Sequence, residues 1–301
     1  MKFGVLGYGK IVREEIAPAI HEAGHRIVAV GSRSGKRPAG YAGRLHTSYS
    51  QCIEDPDVEA IYIATPNHLH VPLACQALRA GKPVLCEKPI AMSYTEFQTL
   101  AEVQAATGVA LQEAFMVNYH PQWSRLKSLE LGDHRLLRTS FTYTPRQASD
   151  VRSRPELGGG VWLDIGCYGL WSCYQLGARQ LRSVSGEWRA SGEVVDHVQT
   201  TLGFDALDAQ IEVGGLHFRQ QSLSLVTDRL RLSMPRPFNP LGTTEIHIET
   251  ESGCEVMHDQ ANQYARMITS FVSLCQQGEF IERDCSEAIA RWSEAIERQL
   301  T

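Results

Sequence analysis

Two short stretches of the sequence carry residue types that are suited to proton transfer. In the first, Lys88 lies between a glutamate and a proline, just after the apolar run 84–86, which is typical of a buried strand. The second is the glycine-rich run 158–168, which holds Asp164 and Tyr168 four residues apart. On a helix that begins near Val161, side chains at that spacing face the same way. An ammonium group, a carboxylate and a phenol are together able to exchange a proton with a substrate.

The chemistry of a phenol explains why a lysine is needed beside it. A free phenol has a pKa of about 10, and a neighbouring ammonium group lowers that pKa by stabilising the phenolate. We therefore expect Tyr168 to exchange the proton of a substrate hydroxyl, while Lys88 lowers its pKa and polarises the substrate oxygen. Asp164 is expected to orient Lys88 or to hold a substrate hydroxyl. Lys88 as the acid/base itself is an alternative that the residues leave open.

The elements that position these groups begin at the N-terminus. Strand and helix patterns alternate up to about residue 117, which predicts a doubly wound parallel sheet. The first strand, residues 2–6, is followed directly by the candidate pyrophosphate-binding residues Gly7, Gly9, Lys10 and Ile11. Glycines between a strand and a helix let the backbone approach a pyrophosphate, which binds at the helix N-terminus. Val12 stands where the third glycine of this fingerprint would be.

The end of the second predicted strand, residues 26–31, bears on the choice of cofactor. NAD-binding sites carry an Asp or Glu there, which binds the ribose hydroxyls. This chain has Ser32 and Arg33 instead, with Lys36 and Arg37 following. A hydroxyl and a guanidinium suit a 2'-phosphate, so NADP(H) is favoured over NAD(H). A solvated basic loop is the alternative.

Two later loops are predicted to line the nicotinamide crevice, because ligands bind beyond the carboxyl ends of the strands in an open parallel sheet. The loops follow the predicted strands 59–64 and 84–88, and their candidate cofactor-binding residues are Thr65, Pro66, Asn67, His70, Glu87 and Lys88. The first loop has two histidines but no carboxylate or cysteine at a ligand spacing, so no metal site is predicted.

From about residue 118 the pattern changes to alternating segments with few helices between them, which predicts an antiparallel sheet. The segments are 136–143, 183–189, 197–204, 209–213, 217–226 and 244–250. We therefore predict an α/β Rossmann domain over 1–117 and an α+β domain with a large, mostly antiparallel, open-faced sheet over 118–301. An exposed apolar sheet face would suit a second subunit, so a homodimer or homotetramer is expected.

The bulk composition narrows the class of protein. The 301 residues include 43% hydrophobic and 21% charged residues, which is ordinary for a globular protein. A net charge of −5 gives no electrostatic case for nucleic acid or an anionic membrane surface. No apolar run approaches the ~20 residues of a membrane helix. The eight cysteines form no Cys-x-x-Cys pair, and the N-terminus enters a strand at once, so reduced cysteines and a cytoplasmic location are expected.

Several segments, taken in order, resemble the motifs of the glucose-fructose oxidoreductase and inositol dehydrogenase (Gfo/Idh/MocA) family. These segments are residues 7–11, 65–70, 87–89, 113–116 with His120-Pro121, and 158–168. Tyr168, the approach 152–160 and the run 236–240 are similar to the branch of dimeric dihydrodiol dehydrogenase and xylose dehydrogenase. The resemblance implies a Rossmann domain, a C-terminal open-sheet domain that also forms the dimer, a tightly held nicotinamide cofactor, and a catalytic group of Lys88, Asp164 and Tyr168.

The expected function is that of an NAD(P)-dependent oxidoreductase acting on an aldose, a cyclic polyol or a related hydroxyl or carbonyl compound. The candidates to line the pocket for this small-molecule substrate are Tyr119, His120, Arg152 and Trp162. Relatives commonly carry an arginine where this chain has Asn118-Tyr119, so the sugar stays unspecified. Two alternatives remain, a catalytically silent nucleotide-binding sensor and a carbonyl or imine reductase. The presence of all three proton-transfer groups argues against the sensor.

Overall fold

The computed structural model describes residues 1–33, 35, 37–38, 41–144, 150–240 and 242–301. Lys36 of the predicted basic loop lies outside these residues. The chain forms two compact units, one of residues 1–116 with 262–286 and the other of residues 117–261 with 287–301. This partition differs from the predicted one, which assigned all of 118–301 to one domain, because a C-terminal segment returns to the first unit.

The regular elements are numbered in chain order. The strands are β1 (Lys2–Leu6), β2 (Arg26–Gly31), β3 (Arg44–His46), β4 (Ala60–Ile63), β5 (Val84–Cys86), β6 (Leu111–Glu113), β7 (Arg135–Thr142), β8 (Leu181–Ser191), β9 (Val194–Phe204), β10 (Asp208–Gly214), β11 (Gln220–Thr227), β12 (Leu230–Met234), β13 (Thr244–Thr250), β14 (Gly253–Asp259) and β15 (Phe280–Ile281). The α-helices are α1 (Ala17–Glu22), α2 (Tyr49–Glu54), α3 (His70–Arg79), α4 (Tyr94–Thr107), α5 (Pro121–Ser128), α6 (Cys167–Gln175), α7 (Gln263–Leu274) and α8 (Arg283–Leu300). Two π-helical turns, Val12–Ile16 and Trp162–Gly166, lead directly into α1 and α6.

The first unit is built on a seven-stranded sheet with the order β15-β6-β5-β4-β1-β2-β3. Every adjacent pair in this sheet is parallel, which confirms the predicted doubly wound sheet. The strands β4 and β5 are buried along their whole length, as expected where helices cover both faces. The strand order reverses at β1, whose neighbours are β2 and β4. Ligands of such sheets bind beyond the carboxyl ends of the strands at this reversal.

Sequence features explain where the helices of the first unit begin and end. Ser93 caps α4 by accepting a hydrogen bond from the backbone N–H of Glu96, and Gly108 ends the helix in the left-handed conformation. Asn262 caps α7, and its side-chain amide donates to a carboxylate oxygen of Glu22 at 2.6 Å. These contacts place α7 with the first unit although it lies late in the chain.

The second unit is built on an eight-stranded sheet with the order β14-β13-β12-β11-β7-β10-β9-β8. All adjacent pairs are antiparallel except β7 and β10, which run parallel in a register that pairs Ile211 with Thr139. The large, mostly antiparallel sheet is therefore confirmed. Its helical cover includes α6, where Trp171 packs edge-on against Trp123 with ring centroids 4.4 Å apart.

The other face of this sheet is open and mainly polar. A groove of about 410 Å³ on it is lined in part by exposed polar side chains, namely Arg138, Gln199, Thr201, Gln210 and Glu212. The expectation of an exposed apolar sheet face is therefore wrong. The alternating pattern directs its apolar residues to the covered face, as in antiparallel sheets with one solvated side.

Three further observations concern disulfide bonds, membrane-spanning helices and metal sites. The eight cysteines, all among the described residues, form no disulfide bond, and all except Cys254 are buried. Across the described ranges no helix is long and apolar enough to cross a membrane. The same part of the chain shows no group of three or more His, Cys, Asp or Glu side chains that could hold a metal ion.

Candidate active site

The glycine turn after β1 is shaped by close backbone contacts. Gly7 has a φ of 83°, and its N–H donates to the carbonyl oxygen of Gly31 at 3.0 Å. A Cβ atom on Gly7 would lie 2.7 Å from the carbonyl oxygen of Ala64, so this position requires glycine. The Cβ position of Gly9 has open space around it among the described atoms. The N–H of Arg13 already donates to the carbonyl of Gly9, so the N–H groups before it point beyond the helix N-terminus and can bind an anionic diphosphate.

The helix that follows this turn begins with a π-helical turn. Lys10 is exposed and pairs with Glu14 at 3.6 Å, while Ile11 is half-buried. The wider turn ends at residue 16, so Pro18 lies in the first turn of the α-helical part, where a proline is tolerated. Turns of this kind are rare and are found mostly at functional sites.

The two arginines in the loop after β2 differ in their contacts. The N–H of Ser32 donates to the carbonyl oxygen of His46 at 3.0 Å, which fixes the end of β2 to β3. Arg33 is exposed, and its guanidinium lies 6.0 Å from the centre of the Tyr49 ring. Arg37 instead donates to the backbone carbonyl of a nearby glycine at 2.7 Å. Arg33 is therefore the better placed of the two to meet a ligand at the strand end.

The loop after β4 contains a buried hydroxyl with unused hydrogen-bonding capacity. Thr65 is 8% exposed, and its Oγ1 has no hydrogen-bond partner within the described residues. Pro66 and Asn67 are half-buried and continue the loop towards α3. A buried polar atom of this kind calls for a ligand partner. With the glycine turn and the open helix N-terminus, it makes the first unit fit a nicotinamide dinucleotide.

The Lys88 segment begins where β5 ends. Glu87 accepts a hydrogen bond from the hydroxyl of the buried Tyr62 at 2.6 Å. Burial and this neighbouring carboxylate hold the pKa of Tyr62 well above its usual value. Lys88 itself is half-buried, and the Lys88–Pro89 peptide bond is cis. The structure thus sets a lysine at the carboxyl edge of the parallel sheet, in the first unit.

Two buried titratable residues contact the same segment. His70 is 1% exposed, and its Nδ1 and Nε2 atoms lie 2.8 Å and 2.9 Å from the carbonyl oxygens of Pro89 and Thr65. Glu113, at the end of β6, accepts a hydrogen bond from the N–H of Ile90 at 2.8 Å. Burial lowers the pKa of His70 and raises the pKa of Glu113 to about 7. No role is predicted for Glu113 from the sequence. A glutamate at the end of a buried strand nevertheless indicates a buried acid that needs a partner.

In the second unit, Asp164 lies in the π-helical turn before α6 and forms an ion pair. The Nε of Arg152 donates to a carboxylate oxygen of Asp164, and Nη1 of the same arginine lies 3.4 Å from Asp150. Arg152 and Asp164 are both half-buried. The structure therefore brings together a predicted substrate residue and a predicted catalytic one, a pairing that the sequence does not reveal.

Tyr168 lies in α6 and is 3% exposed. Its ring centroid is 5.6 Å from that of Phe141 and 5.3 Å from that of Phe238. The backbone N–H of Phe238 donates to the side-chain carbonyl of Gln221 at 3.0 Å, which holds the run 236–240 in place. The phenol is thus fixed within an aromatic cluster of the second unit.

The remaining predicted pocket residues differ in accessibility. Trp162 is buried, and its Nε1–H donates to Ser293 Oγ at 2.8 Å. His120 is fully buried and caps α5 by accepting from the N–H of Gln122. Tyr119 is half-buried, as is Arg152. These last two keep surface for a ligand, whereas Trp162 and His120 stabilise the second unit.

The fold and the cofactor-type site of the first unit define the class as a nicotinamide-dependent oxidoreductase. A family model described as the oxidoreductase family with an NAD-binding Rossmann fold matches residues 1–115, and the GFO/IDH/MocA C-terminal domain matches residues 124–232. An uncharacterised oxidoreductase of Rhizobium meliloti is 30% identical over 280 residues, 85% of this chain and 80% of that protein. The chain belongs to the Gfo/Idh/MocA oxidoreductase family.

Other relatives are similar over almost their whole length. A D-xylose 1-dehydrogenase (NADP(+)) of Haloferax volcanii is 29% identical, with 98% of this chain and 96% of that protein covered. The crystal structure of KijD10, a 3-ketoreductase from Actinomadura kijaniata in complex with NADP and TDP-benzene, superposes with a TM-score of 0.91. It is 28% identical, and the match covers 99% of this chain and 97% of KijD10. The first of these relatives is named a sugar dehydrogenase, and the second is described as a ketoreductase.

Proposed function

We propose that the protein is an NADP-dependent oxidoreductase that interconverts a hydroxyl and a carbonyl group on a sugar or sugar derivative. The observation that carries the proposal is the half-buried Lys88 at the end of β5, which only β4 separates from β1, where the strand order reverses. Beside it, the Thr65 hydroxyl and the glycine turn suit a nicotinamide dinucleotide. The similarity to the D-xylose dehydrogenase of Haloferax volcanii supports a sugar-related substrate.

Lys88 and Tyr168 are proposed to form the proton-transfer pair. The bound cofactor supplies or accepts the hydride. Tyr168 would exchange the proton of the substrate hydroxyl, and the Lys88 ammonium would stabilise the phenolate and the substrate oxygen. Solved structures of KijD10 include a lysine-to-alanine and a tyrosine-to-phenylalanine variant, both with TDP-benzene and NADP. The choice of those two residue types in a relative supports the pair.

Asp164 and Arg152 are proposed to act together on the substrate. Their ion pair holds each side chain in a defined orientation inside the second unit. An arginine has five N–H donors, so Arg152 keeps donors for a substrate hydroxyl or phosphate beside its bonds to two carboxylates. Tyr119 would add a phenol to the same half of the site. This assignment favours substrate binding over the orientation of Lys88 as the role of Asp164.

NADP(H) is the proposed cofactor, with Arg33 as the residue that prefers it to NAD(H). The exposed guanidinium of Arg33 follows β2, where NAD-specific sites place a carboxylate. Ser32 lies beside it with its backbone fixed to β3. The D-xylose dehydrogenase of Haloferax volcanii carries NADP(+) in its name, and the KijD10 structures contain NADP. Both relatives support the preference.

A homodimer or homotetramer formed through the open face of the second sheet is also proposed. That face carries both signs of charge, including Arg138 and Glu212, so a second copy can meet it with complementary groups. Sedimentation analysis of the wild type should give a mass of two or four times the 33.5 kDa of one chain. Arg138→Glu should weaken the assembly, and a wild type that sediments as a monomer at micromolar concentration would contradict the proposal.

The experiment that tests the proposed function combines binding and turnover. Fluorescence titration should show that NADPH binds at least about 10-fold more tightly than NADH, because one charge-assisted hydrogen bond contributes about 1.5–3 kcal/mol. Purified protein is then given aldoses and cyclic polyols with NADP⁺, and keto sugars and keto sugar nucleotides with NADPH. Turnover of any of these supports the proposal. Binding of neither cofactor would contradict it, and turnover of imines or bilins alone would favour the reductase alternative.

A further inference from the structure

The backbone directly after Lys88 is held by two buried titratable side chains. On one side, the carbonyl oxygen of Pro89 lies 2.8 Å from Nδ1 of His70. On the other side, the N–H of Ile90 donates to Oε1 of Glu113, also at 2.8 Å. Both contacts are made to the one peptide unit that joins Pro89 and Ile90, directly after the Lys88–Pro89 peptide bond. His70 begins α3 and Glu113 ends β6, so each anchor belongs to a different rigid element.

His70 connects this segment to the neighbouring loop. Its second ring nitrogen lies 2.9 Å from the carbonyl oxygen of Thr65, so one imidazole spans the loops that follow β4 and β5. A neutral imidazole has a single N–H, whereas a protonated ring donates to both carbonyls. Burial lowers the pKa of His70, and the nearby charges of Lys88 and His68 lower it further. The hydrogen bonds with the carbonyl oxygens of Pro89 and Thr65 raise it. The ring is therefore mainly neutral at neutral pH and donates to one carbonyl at a time.

Glu113 adds a carboxyl group that responds to the charge of Lys88. Burial raises its pKa to about 7, while the hydroxyl of Ser286, the N–H of Ile90 and the Lys88 ammonium all lower it. The carboxylate of Glu282 acts in the opposite direction. Because electrostatic coupling is mutual, an ionised Glu113 stabilises the ammonium form of Lys88.

We propose that Glu113 and His70 are positioning residues for Lys88, with Glu113 acting through both the Ile90 amide and the charge of its carboxylate. The inference rests on the proposed catalytic role of Lys88. It gives a positioning role to Glu113, for which no role was predicted from the sequence, and to His70. His70, a predicted cofactor-binding residue, acts through the backbone of the loops that follow β4 and β5.

The test measures the titration of Lys88 directly. The chain has six lysines, so reductive methylation with ¹³C-formaldehyde gives few NMR signals, and Lys88→Arg identifies the Lys88 signal by its loss. Glu113→Gln keeps an oxygen that can accept from the Ile90 N–H but removes the carboxylate. We expect Lys88 in Glu113→Gln to titrate at a pH lower by about 0.5 or more. An unchanged titration would overturn the charge coupling.

A matched control separates this effect from the loss of any carboxylate. Glu96 accepts a hydrogen bond from the N–H of Met92 at 2.9 Å, in the same unit, at the start of α4. Glu96→Gln should leave the Lys88 titration unchanged, and an equal shift in both variants would overturn the specific role of Glu113. The positioning role of His70 is read from turnover. His70→Gln should lower kcat by about 10-fold or more while the Kd of NADPH stays within about 3-fold of wild type.

The outcomes also separate this inference from the proposed function. The comparison uses NADPH and the substrate that the wild type turns over. If Lys88→Met is inactive while His70→Gln and Glu113→Gln match the wild type in kcat and in its pH profile, the inference falls and the proposed function stands. If Lys88→Met retains full turnover, the catalytic role of Lys88 falls, whatever its titration shows. If the Lys88 titration shifts in Glu113→Gln and the pH profile of kcat changes with it, the result supports both the inference and the proposed function.

Discussion

Arg33 is the residue on which the proposed cofactor preference depends. Its exposed guanidinium follows β2, whereas Arg37 is bound to backbone carbonyls of its own loop. Arg33→Ser should raise the Kd of NADPH by about 10- to 100-fold, since a hydrogen bond to a charged group contributes about 1.5–3 kcal/mol. The Kd of NADH should stay unchanged. Fluorescence titration measures both values.

Arg37→Ser is the control for this prediction. It removes the same charge from the same loop but leaves Arg33 in place, so its effect on the Kd of NADPH should be small. Equal weakening by both substitutions would mean that the general charge of the loop binds the phosphate. That result would contradict the specific role of Arg33.

Residue types at the site are visible in the sequence, but their partners are not. Lys88 and Tyr168 are recognisable because each lies in a short motif whose residue types suit proton transfer. The ion pair of Arg152 with Asp164 joins residues from different turns, and nothing in their spacing predicts it. Trp162 is an aromatic residue within a candidate motif, which suggested a pocket, yet its N–H is bonded to Ser293 in α8. Tertiary contacts of this kind depend on elements far apart in the chain.

At the scale of elements, Glu113 in β6 makes the free energy of unfolding depend on pH. Its pKa of about 7 in the folded protein exceeds the usual 4.5, so it favours folding below pH 4.5 and this contribution is lost as the pH rises to about 7. Glu113→Gln has no such loss. Relative to wild type, the variant should therefore gain about 2–3 kcal/mol in the free energy of unfolding between pH 5 and pH 8.

Urea unfolding of both proteins at the two pH values measures this difference. Glu96→Gln serves again as the comparison, because Glu96 is half-buried in the first turn of α4 and also accepts a backbone hydrogen bond. The same pH-dependent gain in Glu96→Gln, or none in Glu113→Gln, would contradict the account of Glu113 as a buried acid.

The elements that the sequence predicts are those with long apolar or alternating runs. The strands β4 and β5 are recognisable because they are apolar and are followed by loops that contain polar residues. The strand β3, Arg44–His46, has a single apolar residue and β15 has only two residues, so neither shows a strand pattern. The π-helical turns at 12–16 and 162–166 were likewise not predicted, because a single inserted residue changes the helical period too little to be read.

At the scale of the whole molecule, the two kinds of sheet follow from the change of pattern near residue 118. The return of 262–286 to the first unit does not follow from it. The apolar stripe of α7 predicts that the helix is buried, but a stripe does not specify the sheet against which it packs. The contacts of Asn262 with Glu22 and of Phe271 with Phe3 decide this. The predicted boundary at 117 and 118 therefore stays a prediction about the functional domains.

The measurement that tests the central claim most directly compares the wild type with Lys88→Met and Tyr168→Phe. For each protein, the Kd of NADPH is measured by fluorescence and kcat by the consumption of NADPH with the substrate that the wild type turns over. We predict that both variants bind NADPH within about 3-fold of wild type and lose about 100-fold or more in kcat. A loss in Lys88→Met alone would assign the proton to Lys88. Full turnover by both variants would contradict the proposed proton-transfer pair.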